Sequence, residues 1–244
     1  MVHSAKIKTT PSRWICADTS TFIESLALVE DHLLLCELNI KRAKGHASGL
    51  HEDLDRMLRS VGWSLDSLSG FVCGLGPGSF TGMRVGLSAL KGLAYASHLP
   101  LYGIPSTYAL LNATASKKSL ALVDARRGEL YAQGIGIEQG KTLTVEQLFT
   151  ILDEQGLTPE VCIGEGALRY HTQLTAHWPN TQISKNEAAH LPRAALLYNA
   201  IESATPVDIS SIEPIYVRAS DAELNYPDGF PSEARYFAQK AKAK

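Results

Sequence analysis

At 244 residues, with 45% apolar and 20% charged residues, the chain can bury a sizeable core as one or two globular domains, which excludes a disordered polypeptide. A formal net charge of -2 argues against unaided nucleic-acid binding, because neutralising several phosphates needs a concentrated basic surface, so any RNA contact is expected to be shared. No apolar run approaches the roughly 18 residues of a membrane span, and MVHSAKIKTTPSR carries basic residues without the apolar core of a signal peptide, which predicts a cytoplasmic chain with no membrane contact.

In chain order, WICAD, IESLALV and LLLCELNI, within residues 14–40, predict three strands of an antiparallel meander broken at 19–21 and 30–32. Between 48 and 61, Leu50, Leu54, Met57, Leu58 and Val61 keep a helical period. SGFVCGL (69–75) reads as a strand, 80–97 as a helix, PLYGI (100–104) as a strand and 106–114 as a helix. A weaker version of this order starts again at Ser119: strands SLALVDA and ELYAQGIGI, a short strand near 141–143, a helix over 145–155, strand EVCIG, and helices over 166–176 and 188–204. The first strand ends in an aspartate both times, Asp18 and Asp124, which points to two α/β lobes of one architecture. The predicted divisions are an N-terminal extension over 1–12, a first lobe over 13–115, and a smaller second lobe over 116–244 whose tail, after Ile212, folds back on a lobe.

Cys16, Cys36, Cys73 and Cys162 form no CxxC pair and lie in apolar stretches, so they read as buried free thiols. His46 and His51, five residues apart, would sit about 140° apart on a helix, unlike the i, i+4 pair of zinc-binding helices, and no metal site is expected.

The segment GLGPGSFTGMRVG (74–86) carries the densest chemistry. A P-loop fails at Gly82-Met83-Arg84, where GK[ST] is required, and a GxGxxG fingerprint fails at Ser79 and Thr81. A looser anion nest from the amides of Gly78, Ser79 and Phe80 stays open, although Pro77 removes one donor. Ser79 or Thr81 can cap the following helix. Inside that helix Gly82, Gly86 and Gly92 each cost about 1 kcal/mol relative to alanine. Gly82, Gly86 and Ala89, with Leu93 and Ala96, make a small-residue stripe that suits either tight packing on the parent sheet or the close approach of a partner chain, flanked by Arg84 and Lys91. The expected contact face comprises Phe80, Gly82, Met83, Arg84, Gly86, Ala89, Leu90 and Leu93. A vestigial nucleotide or anion site would comprise Asp18, Thr19, Ser20, Gly78 and Ser79.

GLGPGSFTGMRVGLSALKGLAYASHLPLYGIPS resembles the signature segment of the TsaB family, also called YeaZ, and ADTST (17–21), Gly45-His46, VDARRGELY (123–131) and PIYVR (214–218) fall in the family's order. The resemblance implies an actin-like, ribonuclease H-like fold of the ASKHA class, with mixed sheets flanked by helices and a degenerate second lobe. It also implies a non-catalytic role beside TsaD, with the ATPase TsaE, in making threonylcarbamoyladenosine at position 37 of tRNAs that read ANN codons. TsaD would dock on the first-lobe helix pair, here the helix after Phe80 and the one near Ser48, and the chain alone would form a homodimer through the same helices. No intrinsic cofactor is implied, ATP or ADP lodging at most in the heteromeric complex, and tRNA is met only through that complex. Two departures are the added N-terminal dozen and Gly45-His46-Ala47-Ser48 in place of Gly-His-Ser-Glu.

The enzymatic alternatives are an actin-like ATP-binding hydrolase or transferase and a glycoprotease-type peptidase acting alone. ADTST offers Asp18, Thr19 and Ser20 without a hairpin glycine, and DARRGE puts Ala125, Arg126 and Arg127 where a phosphate hairpin wants small residues and hydroxyls. Asp18 and Asp124 suit strand-end turns as well as a cofactor. Arg126 and Arg127 suit a solvated or inter-lobe ion-paired role, or else an anion clamp. A peptidase lacks both the i, i+4 histidine pair and a GxSxG elbow at Ser79.

Overall fold

The structure is a computed structural model that describes residues 11–41 and 49–217. Residues 1–10 of the expected extension, Gly45-His46 with Ala47-Ser48, and the tail from 218 lie outside the described residues.

Strands β1 (Arg13–Asp18), β2 (Ile23–Glu30) and β3 (Leu33–Lys41) form the expected antiparallel meander, and β4 (Gly70–Gly74) and β5 (Leu101–Ile104) add in parallel beyond β1, giving the order β3-β2-β1-β4-β5. The central strands are apolar without alternation because both faces of the sheet are covered. Ile15 and Ala17 of β1 face α1 (Leu50–Ser60) and α2 (Phe80–Ser97) in a core with Leu54, Met57, Phe71 and Leu90. Trp14 and Cys16, the alternate residues, face the opposite side and pack with Val72, Ala109 of α3 (Ser106–Asn112) and Leu197 of α7 (Ala194–Leu197).

The second sheet repeats the plan with one strand fewer. Its strands β6 (Ser119–Arg126), β7 (Glu129–Gly134), β8 (Ile137–Thr144) and β9 (Val161–Ile163) take the order β8-β7-β6-β9, with β9 parallel to β6 as β4 is to β1. Helix α4 (Val145–Glu154) is started by a capping box in which the Thr144 hydroxyl accepts from the Gln147 amide and the Gln147 side chain accepts from the Thr144 amide. The helix expected over 166–176 divides into α5 (Glu165–Arg169) and α6 (His171–His177). Two mixed sheets flanked by helices, the second reduced, are the actin-like architecture that the sequence leads one to expect.

The C-terminal third differs from expectation. Instead of one helix over 188–204 there are a 3-10 turn at Glu187–His190, the four-residue α7, and a second 3-10 turn at Tyr198–Ala200. Pro192 explains the break, since it lacks an amide hydrogen and its flanking residues Leu191 and Arg193 adopt extended conformations. Residues 193–216 also leave the second lobe, to which the sequence assigns them, and cover the first, before Val217 packs against Ala121, Val123, Tyr131 and Ile163. The Ala194 amide donates to Ser25 Oγ at 2.8 Å, the Val207 amide to the Leu101 carbonyl at 2.8 Å, and the Ile215 amide to the Leu75 carbonyl at 2.8 Å. Val207, Ile209 and Ile212 complete the first core, so an apolar debt of the first lobe calls the chain back.

Helix α2 is capped by Ser79, whose Oγ accepts from the Gly82 amide at 3.2 Å, and ends where His98 takes a left-handed conformation. Its stripe of small residues is divided by its packing. A side chain on Gly82 would collide with the Thr19 carbonyl and one on Gly86 with the Thr19 hydroxyl, which donates to the Gly82 carbonyl at 2.7 Å. Around Gly92 nothing lies within 4 Å of where a side chain would start. Gly82→Ala is therefore expected to destabilise the chain by about 1 to 3 kcal/mol, because backbone must move. Gly92→Ala is expected to stabilise it by about 0.5 to 1 kcal/mol through helix propensity. Urea denaturation of the two variants checks this, and equal effects would contradict the packing described.

Candidate functional site

The residues expected to form a vestigial phosphate site come together, and they bond to one another. At the end of β1, Asp18 Oδ1 accepts from the Ser20 amide at 2.9 Å and from the Ser20 hydroxyl at 2.7 Å. Thr19 is tied to Gly82, and the Ser20 carbonyl accepts from the Ser79 amide at 2.6 Å. A side chain on Gly78 would strike that same Ser20 carbonyl. The nest proposed from the amides of Gly78, Ser79 and Phe80 is thus corrected at Ser79, whose amide already has a partner. The Gly76 amide is likewise held, at 2.9 Å, by Ser106 Oγ.

Between the lobes, Ser20, Pro77 and Ser106 face Val123, Glu165 and His190 across a cleft with about 10 Å³ of free volume, room for one water molecule. Burial pushes the Glu165 carboxyl above its ordinary range, with Arg126 and Arg169 opposing the shift and Asp124 adding to it. His190 is buried; its Nδ1 lies 3.0 Å from both the amide nitrogen and the carbonyl oxygen of Gly164, and its Nε2 lies 2.8 Å from the Ser184 carbonyl, so both ring nitrogens are engaged within the chain.

In the second lobe Asp124 Oδ1 accepts from the Arg126 amide at 3.0 Å, the counterpart of the Asp18 turn. Its Oδ2 pairs with Arg126 at 3.1 Å and Arg169 at 3.0 Å. Both aspartates therefore cap strand-end turns, and Arg126 pairs within its own lobe rather than between lobes. Arg126, Arg127 and Gly128 turn the hairpin with φ of 70°, 53° and 87°, a tight reversal in place of a phosphate-binding loop. Burial pushes the Cys16 and Cys73 thiols far up and the Cys162 thiol up to about 11, so these three are inert.

The helical face is open where the cleft is closed. Of the expected contact residues, Gly82, Met83, Gly86 and Leu90 point into the chain's own core, a correction that follows from the approach of α2 to Thr19. Phe80 and Leu93 are half-buried, Ala89 is at the floor of a groove, and Arg84 is exposed. That groove, 380 Å³ between α1 and α2, is lined by Leu50, His51, Val85, Ser88, Ala89, Gly92 and Leu93. The rest of the outward face carries Tyr95, 74% exposed, and Arg84. Sequence reasoning missed Ser88, Gly92 and Tyr95 as surface. The signal was available, because Met83, Leu87, Leu90 and Ala94 set the inward side, and Ser88, Gly92 and Tyr95 fall opposite it.

A family model described as TsaD, tRNA N6-adenosine threonylcarbamoyltransferase, matches residues 40–159. A curated relative from Haemophilus influenzae, described as tRNA threonylcarbamoyladenosine biosynthesis protein TsaB, is 30% identical over 224 residues, covering 84% of this chain and 92% of the relative. The Bacillus subtilis protein of the same description is 25% identical over 226 residues, covering 87% and 96%. Among solved structures, YeaZ from Pseudomonas aeruginosa superposes with a TM-score of 0.63 at 21% identity, over 84% of this chain and 99% of that one, which speaks to the fold. Identity of 30% over 92% of a curated relative's length, on a two-sheet fold that YeaZ shares, makes this chain a member of the TsaB family.

Proposed function

We propose that this chain is the non-catalytic partner of TsaD in making threonylcarbamoyladenosine in tRNA, and that it docks through the outward face of α2 and the groove beside α1. The observation that carries this reading is Gly92, a helix-interior glycine with nothing from beyond its own helix turn within 4 Å of where a side chain would start, among the described residues. Its cost of about 1 kcal/mol in the free protein is offset when another backbone packs there. Tyr95 on the same face has the exposure and the residue type of an interface anchor.

The closed cleft supports the non-catalytic part of the reading. A nucleotide needs a volume many times the 10 Å³ of the cavity lined by Ser20, Pro77, Ser106, Glu165 and His190, and the loops that would hold its phosphates are bonded to each other. Any ATP or ADP belongs at the interface with TsaD, where TsaE acts, and tRNA is reached through the complex, in keeping with a net charge of -2. A match to a TsaD model over 40–159 suits an interface between two similar lobes, and the same face then pairs with itself in a homodimer when TsaD is absent.

Gly92→Leu is expected to weaken association with TsaD by at least ~30-fold, equivalent to about 2 kcal/mol, while the monomer keeps its circular dichroism and its unfolding midpoint does not fall. Unchanged affinity by titration calorimetry would remove the docking reading. Purified chain alone is expected to show no ATP turnover, with turnover appearing only when TsaD and TsaE are added; activity from the chain alone would restore the enzymatic alternative.

A further inference from the structure

The PIYVR motif has no role in the face described so far, yet it returns to α2 at one residue. Arg84 Cζ lies 4.0 Å from the Phe80 ring centroid and 5.6 Å from that of Tyr216, and the two rings are 5.2 Å apart. Arg84 Nε donates to the Tyr216 hydroxyl at 2.8 Å. The guanidinium is thus held by two aromatic rings and one hydrogen bond, while its two terminal nitrogens have no partner among the described residues. Of the other exposed arginines, Arg56 and Arg59 pair with Glu52 and Asp55 on α1, Arg126 and Arg169 with Asp124, and Arg193 with Glu37, whereas Arg127, at the tip of the β6–β7 hairpin, has no carboxylate partner among the described residues. Arg84 is fixed in place without a carboxylate.

We propose that Arg84 is the charged anchor of the docking face, presenting its terminal nitrogens to a carboxylate of the partner protein, and that Tyr216 is a positioning residue that brings the C-terminal strap into the interface. The proposal rests on the docking reading above. A planar fork with its Nε already committed offers two parallel donors, which matches a carboxylate bidentately. Phosphate of an RNA backbone fits less well, because Lys91 on this flank of α2 is engaged, donating to the Ile212 carbonyl at 3.3 Å, and a net charge of -2 offers no excess of cations. Arg84 lies about 40° round the helix from Ser88, so a partner seated on the groove reaches both. An arginine between aromatic rings is also the composition in which interface energy concentrates. Holding the side chain before contact reduces the rotamer entropy lost on binding.

The test is titration of TsaD, without tRNA, against the full chain and variants whose unfolding midpoints match the parent. Arg84→Ala is expected to weaken association by about 10- to 100-fold, and Arg84→Lys by nearly as much, since it keeps the charge and loses the fork. Tyr216→Ala is expected to lose about 10-fold and Tyr216→Phe, which keeps the ring without the acceptor, to recover part of it. In the Arg84→Ala background Tyr216→Phe is expected to have no further effect, which a role in strap stability alone would not produce. The salt dependence of association is expected to flatten in Arg84→Ala. Affinity within twofold of the parent for Arg84→Ala, while Gly92→Leu still blocks association, overturns the anchor and leaves docking intact. Unchanged affinity in both variants removes docking itself. A loss confined to tRNA binding by the assembled complex overturns the carboxylate in favour of phosphate.

Discussion

The contact between Thr19 and α2 fixes the rest of the molecule. Thr19 sits in the turn after β1, is 1% exposed, and touches α2 through a hydroxyl bonded to the Gly82 carbonyl and a carbonyl that fills the space beside Gly82. Only a helix with no side chains at 82 and 86 comes this near. The contact sets the rotation of α2 about its axis, and the rotation decides which residues face outward. Ser88, Gly92, Tyr95 and Arg84 are exposed because Gly82 and Gly86 are committed to Thr19.

The same contact accounts for the closed cleft. A phosphate-binding loop leaves its amides and hydroxyls free toward a ligand, whereas here Asp18 holds Ser20, Ser20 holds Ser79, and Thr19 holds Gly82. The Thr19 and Ser20 hydroxyls and the Ser20, Gly76 and Ser79 amides are each engaged by a neighbouring group of the chain, which lessens the desolvation penalty a buried polar group would otherwise carry. The second lobe shows the parallel outcome, with Asp124 engaged by Arg126 and Arg169. The engaged polar groups of the turn after β1 and the fixed rotation of α2 are two consequences of one set of hydrogen bonds.

Much of this was legible in the sequence, and the limits have physical causes. The apolar runs of β1 and β4 and the periodicity of α1 located the first sheet and its covering helix, and Asp18 and Asp124 marked the duplicated turn. The stripe Gly82, Gly86, Ala89 and Leu93 was read correctly as one helical face, but glycine permits approach by any backbone, and sequence does not say whose. Only the position of Thr19, which is 63 residues from Gly82 in the chain, separates packing from docking. Pro192 held the signal for a break that the expected helix over 188–204 passed over, and although a fold-back was expected after Ile212, nothing local said that the return begins at 193 and goes to the first sheet. That return answers an apolar deficit around Leu101 and Leu75, a non-local demand that no window of sequence contains.

The returning strap gives the first lobe a composite surface. Helix α2 supplies Ser88, Gly92, Tyr95 and Arg84, but the orientation of Arg84 depends on Tyr216, which is 132 residues away along the chain. The strap reaches that position because the half-buried Val207, Ile209 and Ile212 pack against the first core and the Ile215 amide is bonded to the Leu75 carbonyl at the end of β4. A partner that reads Arg84 therefore reads the completed fold of the first lobe, strap included. A chain whose strap has not closed presents the groove without its fixed charge. Discrimination then follows from energetics: an unheld arginine must lose its rotamer freedom on contact, and one held by Phe80 and Tyr216 has lost it already.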